Sequence, residues 1–224
     1  MTGQLLVATA VDAERVAVLA GLADRPDPTS TSAGFVAVDV IAVGVGPAAA
    51  AAATARVLAQ AEAAGRRYDA VLCAGIAGGL PGRALPGELV LATAMVAADL
   101  GADAPDGKYL PLDELGYGTT ELPSDPALLD ILRRWLPAAT VEGQVLSVST
   151  VTGTAVRTEA LATRYPDARA EAMEGFGVAT AALGAGVPCA ELRAISNVVG
   201  PRDRSAWRIP AAMATLRSAF AIDT

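Results

Sequence analysis

The sequence predicts an α/β fold in which helices cover both faces of a central sheet. Short apolar runs of strand length alternate along the whole chain with segments of helical length, and no internal repeat is visible. Several of these runs end in glycine or in a polar residue that can begin a helix. With 224 residues, of which 53% are hydrophobic, the chain can bury a sizeable core.

Composition excludes several classes of chemistry. The chain has no histidine and two separated cysteines, which leaves almost no material for a zinc site and no Ser-His or Cys-His nucleophile pair. A net charge of −7 with few aromatic residues argues against nucleic-acid binding. We read neither an export signal nor a membrane span, and therefore expect a soluble, cytoplasmic protein without a metal or cofactor.

The first elements place an acidic residue just after a buried strand. Leu5–Ala10 predicts that strand, and a helix follows with Asp12 as its N-cap and Glu14 in its first turn. Two interpretations of Glu14 stay open here: a solvated first-turn acid or a functional carboxylate. Arg25–Ser32 predicts a loop, and Phe35–Val45 predicts one or two strands.

Two glycine-rich segments follow. Gly44–Ala49 has the letters G-x-G-x-x-A and opens an Ala-rich helix, but a dinucleotide site would need an acidic residue at the end of the next strand. That strand, Ala70–Ala74, ends without one, so we favour a tight turn with Pro47 near the first helical position. The second segment, Gly75–Leu80, predicts a functional loop that includes Gly78 and lets the backbone approach a ligand.

The middle of the chain predicts one long strand, an irregular excursion and one helix. Gly87–Leu100 is β-like and long enough to be bent or bulged, and Ala127–Leu136 is helical. Between them, Gly101–Pro126 is rich in Gly, Pro and Asp and predicts an excursion that contacts a partner subunit or covers a site.

The last third contains the segment around which the site is predicted. Val141–Val151 predicts a strand, and Thr152-Gly153-Thr154 turns it into a helix. Glu174 then ends a short extended run before another helix, and the strand Val187–Ile195 leads to Ser196-Asn197. Ligands of α/β sheets collect at the C-terminal ends of strands, so these groups and Glu14 predict one site.

Three motifs in this order resemble the nucleoside phosphorylase/hydrolase family. They are Ala74–Leu80, Ala172-Met173-Glu174-Gly175 and Arg193-Ala194-Ile195-Ser196-Asn197. The nearest branch comprises the 5′-methylthioadenosine/S-adenosylhomocysteine nucleosidases and the futalosine hydrolases. The resemblance implies a three-layer α/β/α sandwich around a twisted mixed sheet, formed by a single domain over residues 1–224 and assembled as a homodimer or larger homo-oligomer.

The resemblance also implies roles for individual residues. Glu14 falls at the general base that activates water, Glu174 at the carboxylate that holds the ribose hydroxyls, and Arg193 beside both. Met173 packs against the sugar, and the purine lies against Val151, Thr152, Gly153 and Thr154. Asn197 falls at the purine-facing position, where the adenine-cleaving branch carries aspartate; outside this motif it would be read as a loop or cap residue.

The amide at position 197 predicts the leaving base. An amide can donate to O6 of a 6-oxopurine and accept from N7–H, whereas a carboxylic acid suits adenine. We therefore expect hypoxanthine or guanine to leave, and among hydrolases this indicates futalosine, in the futalosine route to menaquinone. The carboxyphenyl group of futalosine needs an aromatic neighbour and a cation, which Trp207 with Arg202, Arg204 or Arg208 can supply. The alternative is a solvated basic loop with Trp207 in the core.

Glu14 also favours water over phosphate as the nucleophile, because an acid after the first strand repels phosphate, although Arg15 beside it weakens this argument. The alternatives are a 6-oxopurine nucleoside phosphorylase, a methylthioadenosine nucleosidase and, from a different class, a non-catalytic purine-nucleoside binder.

Overall fold

The computed structural model describes residues 3–25 and 35–221. The strands are β1 Gly3–Thr9, β2 Phe35–Ala42, β3 Ala70–Gly79, β4 Leu89–Ala97, β5 Gly101–Asp103, β6 Tyr109–Pro111, β7 Glu121–Pro123, β8 Val141–Ser147, β9 Ala168–Ala172 and β10 Cys189–Val198. The helices are α1 Asp12–Ala23, α2 Pro47–Ala63, α3 Pro126–Trp135, α4 Ala155–Arg164, α5 Gly175–Gly184 and α6 Ile209–Phe220, with a 3-10 turn at Arg204–Ala206 before α6. The loop predicted over Arg25–Ser32 lies outside the described residues except for Arg25 itself.

The main sheet is mixed, as predicted, and it curls back on itself. Strands β2, β1, β3 and β10 are parallel neighbours, β10 pairs antiparallel with β4, and β4, β8 and β9 are parallel again. The end of β3 then pairs antiparallel with β9 through Gly78 and Gly79, so five strands form a closed ring of pairings. Two register shifts, near Ala92 in β4 and after Ile195 in β10, confirm the predicted irregularity of the long strand and bend its neighbour.

Helices cover both faces of this sheet because its strands are apolar on both sides. In β1, Leu6 and Ala8 belong to the core cluster beneath α2 and α5, whereas Leu5 and Val7 belong to the cluster beneath α1, α3 and α6. In the second cluster, Trp135 of α3 meets the ring of Phe220 edge to face, with the ring centroids 5.1 Å apart. The three-layer architecture is therefore confirmed.

Two local predictions are wrong, and both concern the site. Val11, not Asp12, is the N-cap of α1; the Glu14 carboxylate accepts the backbone N–H of Val11 and makes a capping side chain at position 12 unnecessary. The predicted glycine loop Gly75–Leu80 is instead the second half of β3, which runs to Gly79. Small residues are needed there because neighbouring groups occupy the space a Cβ would fill.

Candidate active site

Glu14 of α1, Glu174 at the start of α5 and Arg193 in the middle of β10 meet near Gly75 in β3. A Cβ on Gly75 would lie 2.6 Å from Glu14 Oε1 and 2.7 Å from Arg193 Nη1. Those two atoms therefore lie on either side of Gly75, which has no side chain to separate them. The structure thus brings Glu14, Glu174 and Arg193 together, as the resemblance implied, whereas Asn197 lies in the lining of a cleft that includes none of these three residues.

Glu14 is buried, with 3% of its surface exposed, so the interpretation as a solvated first-turn acid is wrong. Its Oε1 accepts the backbone N–H of Ile76 at 2.9 Å, and its Oε2 accepts those of Ala10 at 2.9 Å and Val11 at 3.2 Å. The two latter donors belong to the turn that begins α1, where the helix dipole also favours negative charge. Three backbone N–H groups from two elements fix the carboxylate.

Glu174 stands at the N-cap of α5 and is also buried, at 4% exposure. Its Oε2 accepts from Arg193 Nη2 at 3.1 Å, and its Oε1 accepts the backbone N–H of Gly46 at 3.2 Å. Gly46 has a φ of 90°, a conformation that favours glycine, and directly precedes Pro47, the first residue of α2. The G-x-G segment is therefore a tight turn as predicted, and it also donates to the carboxylate of Glu174.

Arg193 connects these groups. Its side chain is 1% exposed, and its Nη1 donates to the carbonyl of Ile76 at 3.3 Å while Nη2 also lies 3.3 Å from the Cys73 sulfur. Burial alone would lower the pKa of Arg193, but the surrounding Cys73, Glu191, Glu174 and Glu14 raise that pKa well above its usual value. The guanidinium is therefore a permanent buried cation among carboxylates.

Sequence reasoning missed Glu191. It lies two residues before Arg193 on the same face of β10, is fully buried, and accepts from Arg193 Nε at 2.7 Å. Burial raises the pKa of Glu191, and the charge and hydrogen bond of Arg193 oppose that rise. An acid inside an otherwise apolar run was the available signal, because a buried charge requires a partner.

A narrow cleft lies farther along the same strands. Its lining includes Gly78 of β3, Asn197 of β10 and Trp207. Positions 75 and 78 of β3 are three residues apart, and so are roughly 10 Å apart along an extended strand. The lining of this cleft includes none of the residues Glu14, Glu174 and Arg193.

Asn197 is half-buried in this cleft, and its amide is held on both sides. Its Oδ1 accepts from the Ser196 hydroxyl at 2.8 Å, and its Nδ2 donates to the carbonyl of Val198 at 3.1 Å. One N–H and one acceptor position on the amide remain for a ligand. A Cβ on Gly78 would lie 3.3 Å from Asn197 Nδ2, so the glycine gives this amide room.

The predicted purine segment divides into two parts. Val151 and Thr152 line the cleft, whereas Gly153 and Thr154 are exposed and outside its lining. Thr154 instead caps α4 by accepting the backbone N–H of Arg157 at 3.3 Å.

Glu171 is a second acid that the sequence reasoning missed, and it lies in the cleft beside Thr152. Its carboxylate accepts the backbone N–H of Thr152 at 2.8 Å and also the Thr152 hydroxyl. Burial raises the pKa of Glu171, and the two hydrogen bonds from Thr152 oppose this rise. Glu171 thereby fixes the segment that forms one wall of the cleft.

The residues predicted to contact the carboxyphenyl group do not all lie at the cleft. Trp207 is half-buried at the cleft, not in the core, with the guanidinium carbons of Arg202 and Arg204 5.5 and 5.8 Å from its ring centroid. Arg202 belongs to the cleft lining, whereas Arg208 is exposed at the N-terminus of α6 and outside that lining. Met173 is half-buried between β9 and Glu174.

Within residues 3–25 and 35–221, no group of three or more His, Cys, Asp or Glu side chains is arranged to hold a metal ion. No helix in the same ranges is both long and apolar enough to cross a bilayer.

Comparison with known sequences identifies one matching family and relatives that share one name. The profile of the Phosphorylase superfamily matches residues 14–221. A futalosine hydrolase of Acidothermus cellulolyticus is 47% identical over 227 residues, covering 99% of this chain and 90% of the relative. A futalosine hydrolase of Streptomyces coelicolor is 55% identical over 157 residues, covering 69% of this chain and 65% of the relative, which is less than two thirds of its length.

Solved structures share the fold at lower identity. A futalosine hydrolase of Helicobacter pylori superposes with a TM-score of 0.75 at 20% identity, covering 99% of this chain and 95% of that one. A 5′-methylthioadenosine/S-adenosylhomocysteine nucleosidase of Neisseria meningitidis, solved with methylthio-immucillin-A, gives 0.74 at 20% identity, with 97% of each chain covered.

Proposed function

The chain belongs to the phosphorylase superfamily and, within it, to the futalosine hydrolases, and on this premise we propose that it hydrolyses the N-glycosidic bond of futalosine and releases hypoxanthine. The observation that carries the proposal is the arrangement around Gly75, where the fixed carboxylate of Glu14 faces the buried pair of Arg193 and Glu174. In such a reaction, positive charge develops on the sugar and negative charge on the leaving base, so a catalyst must stabilise both.

Glu14 is suited to activate the attacking water. A carboxylate offers about four lone-pair positions, and backbone N–H groups occupy three of those on Glu14, two on Oε2 and one on Oε1. The remaining position on Oε1 can accept from a water, while Arg193 Nη1 on the other side of Gly75 can donate to that water's oxygen. As the water oxygen bonds to C1′ of the ribose, Glu14 takes up its proton.

Glu174 is suited to hold the sugar. Its carboxylate is directed by one donor on each oxygen, Gly46 on Oε1 and Arg193 on Oε2, which leaves further lone pairs for the ribose hydroxyls. A fixed negative group beside the sugar also stabilises the positive charge that develops there as the glycosidic bond breaks. Met173, half-buried next to Glu174, gives an apolar contact for the ribose.

Asn197 is suited to a 6-oxopurine. Its free N–H can donate to O6 of the departing hypoxanthine, and its free acceptor position can take N7–H once that nitrogen is protonated from solvent. Adenine presents an amino group where hypoxanthine presents O6, and mispairing a buried polar edge costs about 1–3 kcal/mol per group. Val151 and Thr152 form the adjoining wall against the purine.

Water is favoured over phosphate by the surroundings of Glu14. A phosphate dianion at this position would meet a buried carboxylate that has no neutralising partner on its own helix. Arg15, the nearest cation in sequence, directs its guanidinium to Asp12, with Nη2 2.7 Å from Oδ1. Arg15 is therefore engaged at the surface and is not part of an anion site with Glu14.

The 5′ substituent is assigned to the outer part of the cleft. The carboxyphenyl group of futalosine can stack on Trp207 and pair with Arg202, both of which line the cleft. We extend the proposal to a cytoplasmic homo-oligomer acting in the futalosine route to menaquinone, with the excursion of residues 101–126 as the segment that contacts a partner subunit or covers the site.

The proposal is tested by incubating purified protein with futalosine, with methylthioadenosine and with inosine, each with and without phosphate. We expect hypoxanthine from futalosine, independent of phosphate, and little adenine from methylthioadenosine. Adenine release alone would contradict the substrate, and phosphate-dependent turnover of inosine would indicate a phosphorylase. Binding of futalosine by calorimetry without base release would indicate a binder.

A further inference from the structure

Glu191 is a buried carboxylate for which the proposed reaction has no direct use. Its Oε1 accepts from Arg193 Nε at 2.7 Å, but its Oε2 has no hydrogen-bond partner among the described residues. A half-satisfied buried carboxylate costs folding free energy. Its presence therefore requires an explanation beyond stability.

The residue after Glu174 makes room for this carboxylate. A Cβ on Gly175 would lie 2.1 Å from Glu191 Oε2 and 2.5 Å from Glu191 Oε1, closer than any side-chain atom can approach. Glu191 in its observed position therefore requires glycine at position 175. The packing of Glu191 is therefore coupled to the segment Glu174-Gly175, which carries the proposed ribose-binding carboxylate.

We propose that Glu191 is a positioning residue that aims the guanidinium of Arg193. A guanidinium is planar, so a bond at Nε fixes the directions of both Nη atoms. With Nε held by Glu191, Nη2 reaches Glu174 and Nη1 lies beside Gly75, facing Glu14. The inference rests on the proposed hydrolysis, in which Arg193 serves both carboxylates.

Charge adds a second consequence. The titratable and charged groups around Glu191 are Arg193 and Cys189 on its own strand, Cys73 on β3, Glu174 at the start of α5, and Glu14 beyond Arg193. If the negative charge of Glu191 is removed, Arg193 favours the ionised forms of the two remaining carboxylates more strongly. The acidic limb of the kcat–pH profile then moves to lower pH, an effect that a purely structural residue would not produce.

The test compares Glu191→Gln and Glu191→Leu with the parent protein. Glutamine keeps an acceptor for Arg193 Nε but loses the charge, whereas leucine loses both. We expect kcat for hypoxanthine release to fall by about tenfold in the first and about 100-fold in the second, with KM changing less, since a small misplacement of a catalytic group has effects of this size. The acidic limb should shift to lower pH in Glu191→Gln. Unchanged kcat and an unchanged limb in both variants would overturn the inference.

Cys189→Ala is the matched control, because Cys189 is buried on the same strand, two residues before Glu191, and its thiol donates to the carbonyl of Ala190. We expect it to keep the kcat and pH profile of the parent. In a double variant, Glu191→Val removes the carboxylate that a Cβ at position 175 would meet, and Gly175→Ala fills part of that space. Arg193 Nε is still without its acceptor, so kcat should stay as low as in Glu191→Leu. Recovery of parental kcat would mean that position 191 only fills space.

A crystal structure of Glu191→Leu separates this inference from the proposed function. We expect the 3.1 Å contact between Arg193 Nη2 and Glu174 Oε2 to be lost in that variant. If the contact persists, Glu191 does not position Arg193, whatever the enzyme cleaves. If the contact is lost but the parent protein releases no hypoxanthine from futalosine, the positioning role holds and the proposed substrate fails.

Discussion

The backbone N–H of Ile76 donates to Glu14 Oε1 at 2.9 Å, so the first turn of α1 is fixed to the second half of β3. Glu14 and Ile76 are 62 positions apart in sequence. This bond holds the carboxylate over Gly75, in the middle of β3 and opposite Arg193 of the neighbouring strand β10. The position of the proposed general base thus depends on a contact between α1 and the second half of β3, the segment that was predicted to be a loop.

Replacement of Glu14 by glutamine tests the proposed base. The amide cannot take a proton from water, so kcat for hypoxanthine release should fall by roughly 10²- to 10⁴-fold. Asp12→Asn is the matched control, because Asp12 is an exposed acid in the same helical turn, and it should leave turnover unchanged. Parental turnover in Glu14→Gln would remove this residue from the chemistry.

Arg193→Met tests the buried charge network by its effect on stability. The change leaves Glu174 and Glu191 buried without their cation, and we expect the free energy of unfolding to fall by about 3–5 kcal/mol. Chemical denaturation at fixed protein concentration measures this. Arg217→Met, which breaks the exposed pair with Asp24, should leave the unfolding midpoint nearly unchanged. If the two substitutions lowered the free energy of unfolding equally, burial would not increase the contribution of Arg193 to stability.

Close packing of α2 against α5 is tested by two glycines of α5. A Cβ on Gly177 would lie 2.1 Å from the carbonyl oxygen of Pro47, so Gly177→Ala should lower the free energy of unfolding by about 1–3 kcal/mol. Gly184 has nothing within 4 Å of its Cβ position, and Gly184→Ala should raise stability by up to about 1 kcal/mol. Thermal or chemical unfolding compares the pair, and a stabilising Gly177→Ala would contradict the helix spacing.

The 5′ side of the cleft is tested with Trp207→Ala and Arg202→Ala. Both residues line the cleft, and losing either should raise KM for futalosine about tenfold, equivalent to about 1.4 kcal/mol. Any turnover of inosine, which lacks the carboxyphenyl group, should not change. Arg208→Ala is the matched cation control and should leave both substrates unaffected. A KM for futalosine that responds only to Arg208 would reassign the carboxylate partner.

Much of the fold could be predicted because apolar runs and helix starts follow local rules. The helix predicted after Thr152-Gly153-Thr154 begins at Ala155, and α2 begins at Pro47, the position that the turn chemistry favoured. Glu14, Glu174 and Arg193 do meet, but for a reason that the strand-end rule does not contain. Arg193 lies opposite Gly75 in the middle of the paired strands β10 and β3, and β9 runs antiparallel to the end of β3, which brings Glu174 back toward Gly75.

What the sequence could not give depended on contacts between distant segments. Gly75 and Gly79 suggest a loop, yet both lie in β3. They are glycine because Glu14, Arg193 and the carbonyl of Ala84 occupy the space that a Cβ would fill. Glu191 gave only the signal of an acid in an apolar run, and its partner is known only once β10 is oriented. The placement of Asn197 in the cleft agrees with its predicted position, but its contact with a purine stays a prediction.

The most direct test of the account is the ratio of kcat/KM for futalosine to kcat/KM for aminodeoxyfutalosine, which differ in the purine 6-substituent, in the parent protein and in Asn197→Asp. The parent should favour futalosine by roughly 10- to 100-fold, the equivalent of one or two mispaired polar groups. The aspartate variant should shift the ratio toward the 6-amino substrate by a similar factor. A ratio that is the same in the parent and in Asn197→Asp would contradict recognition of the leaving base by Asn197.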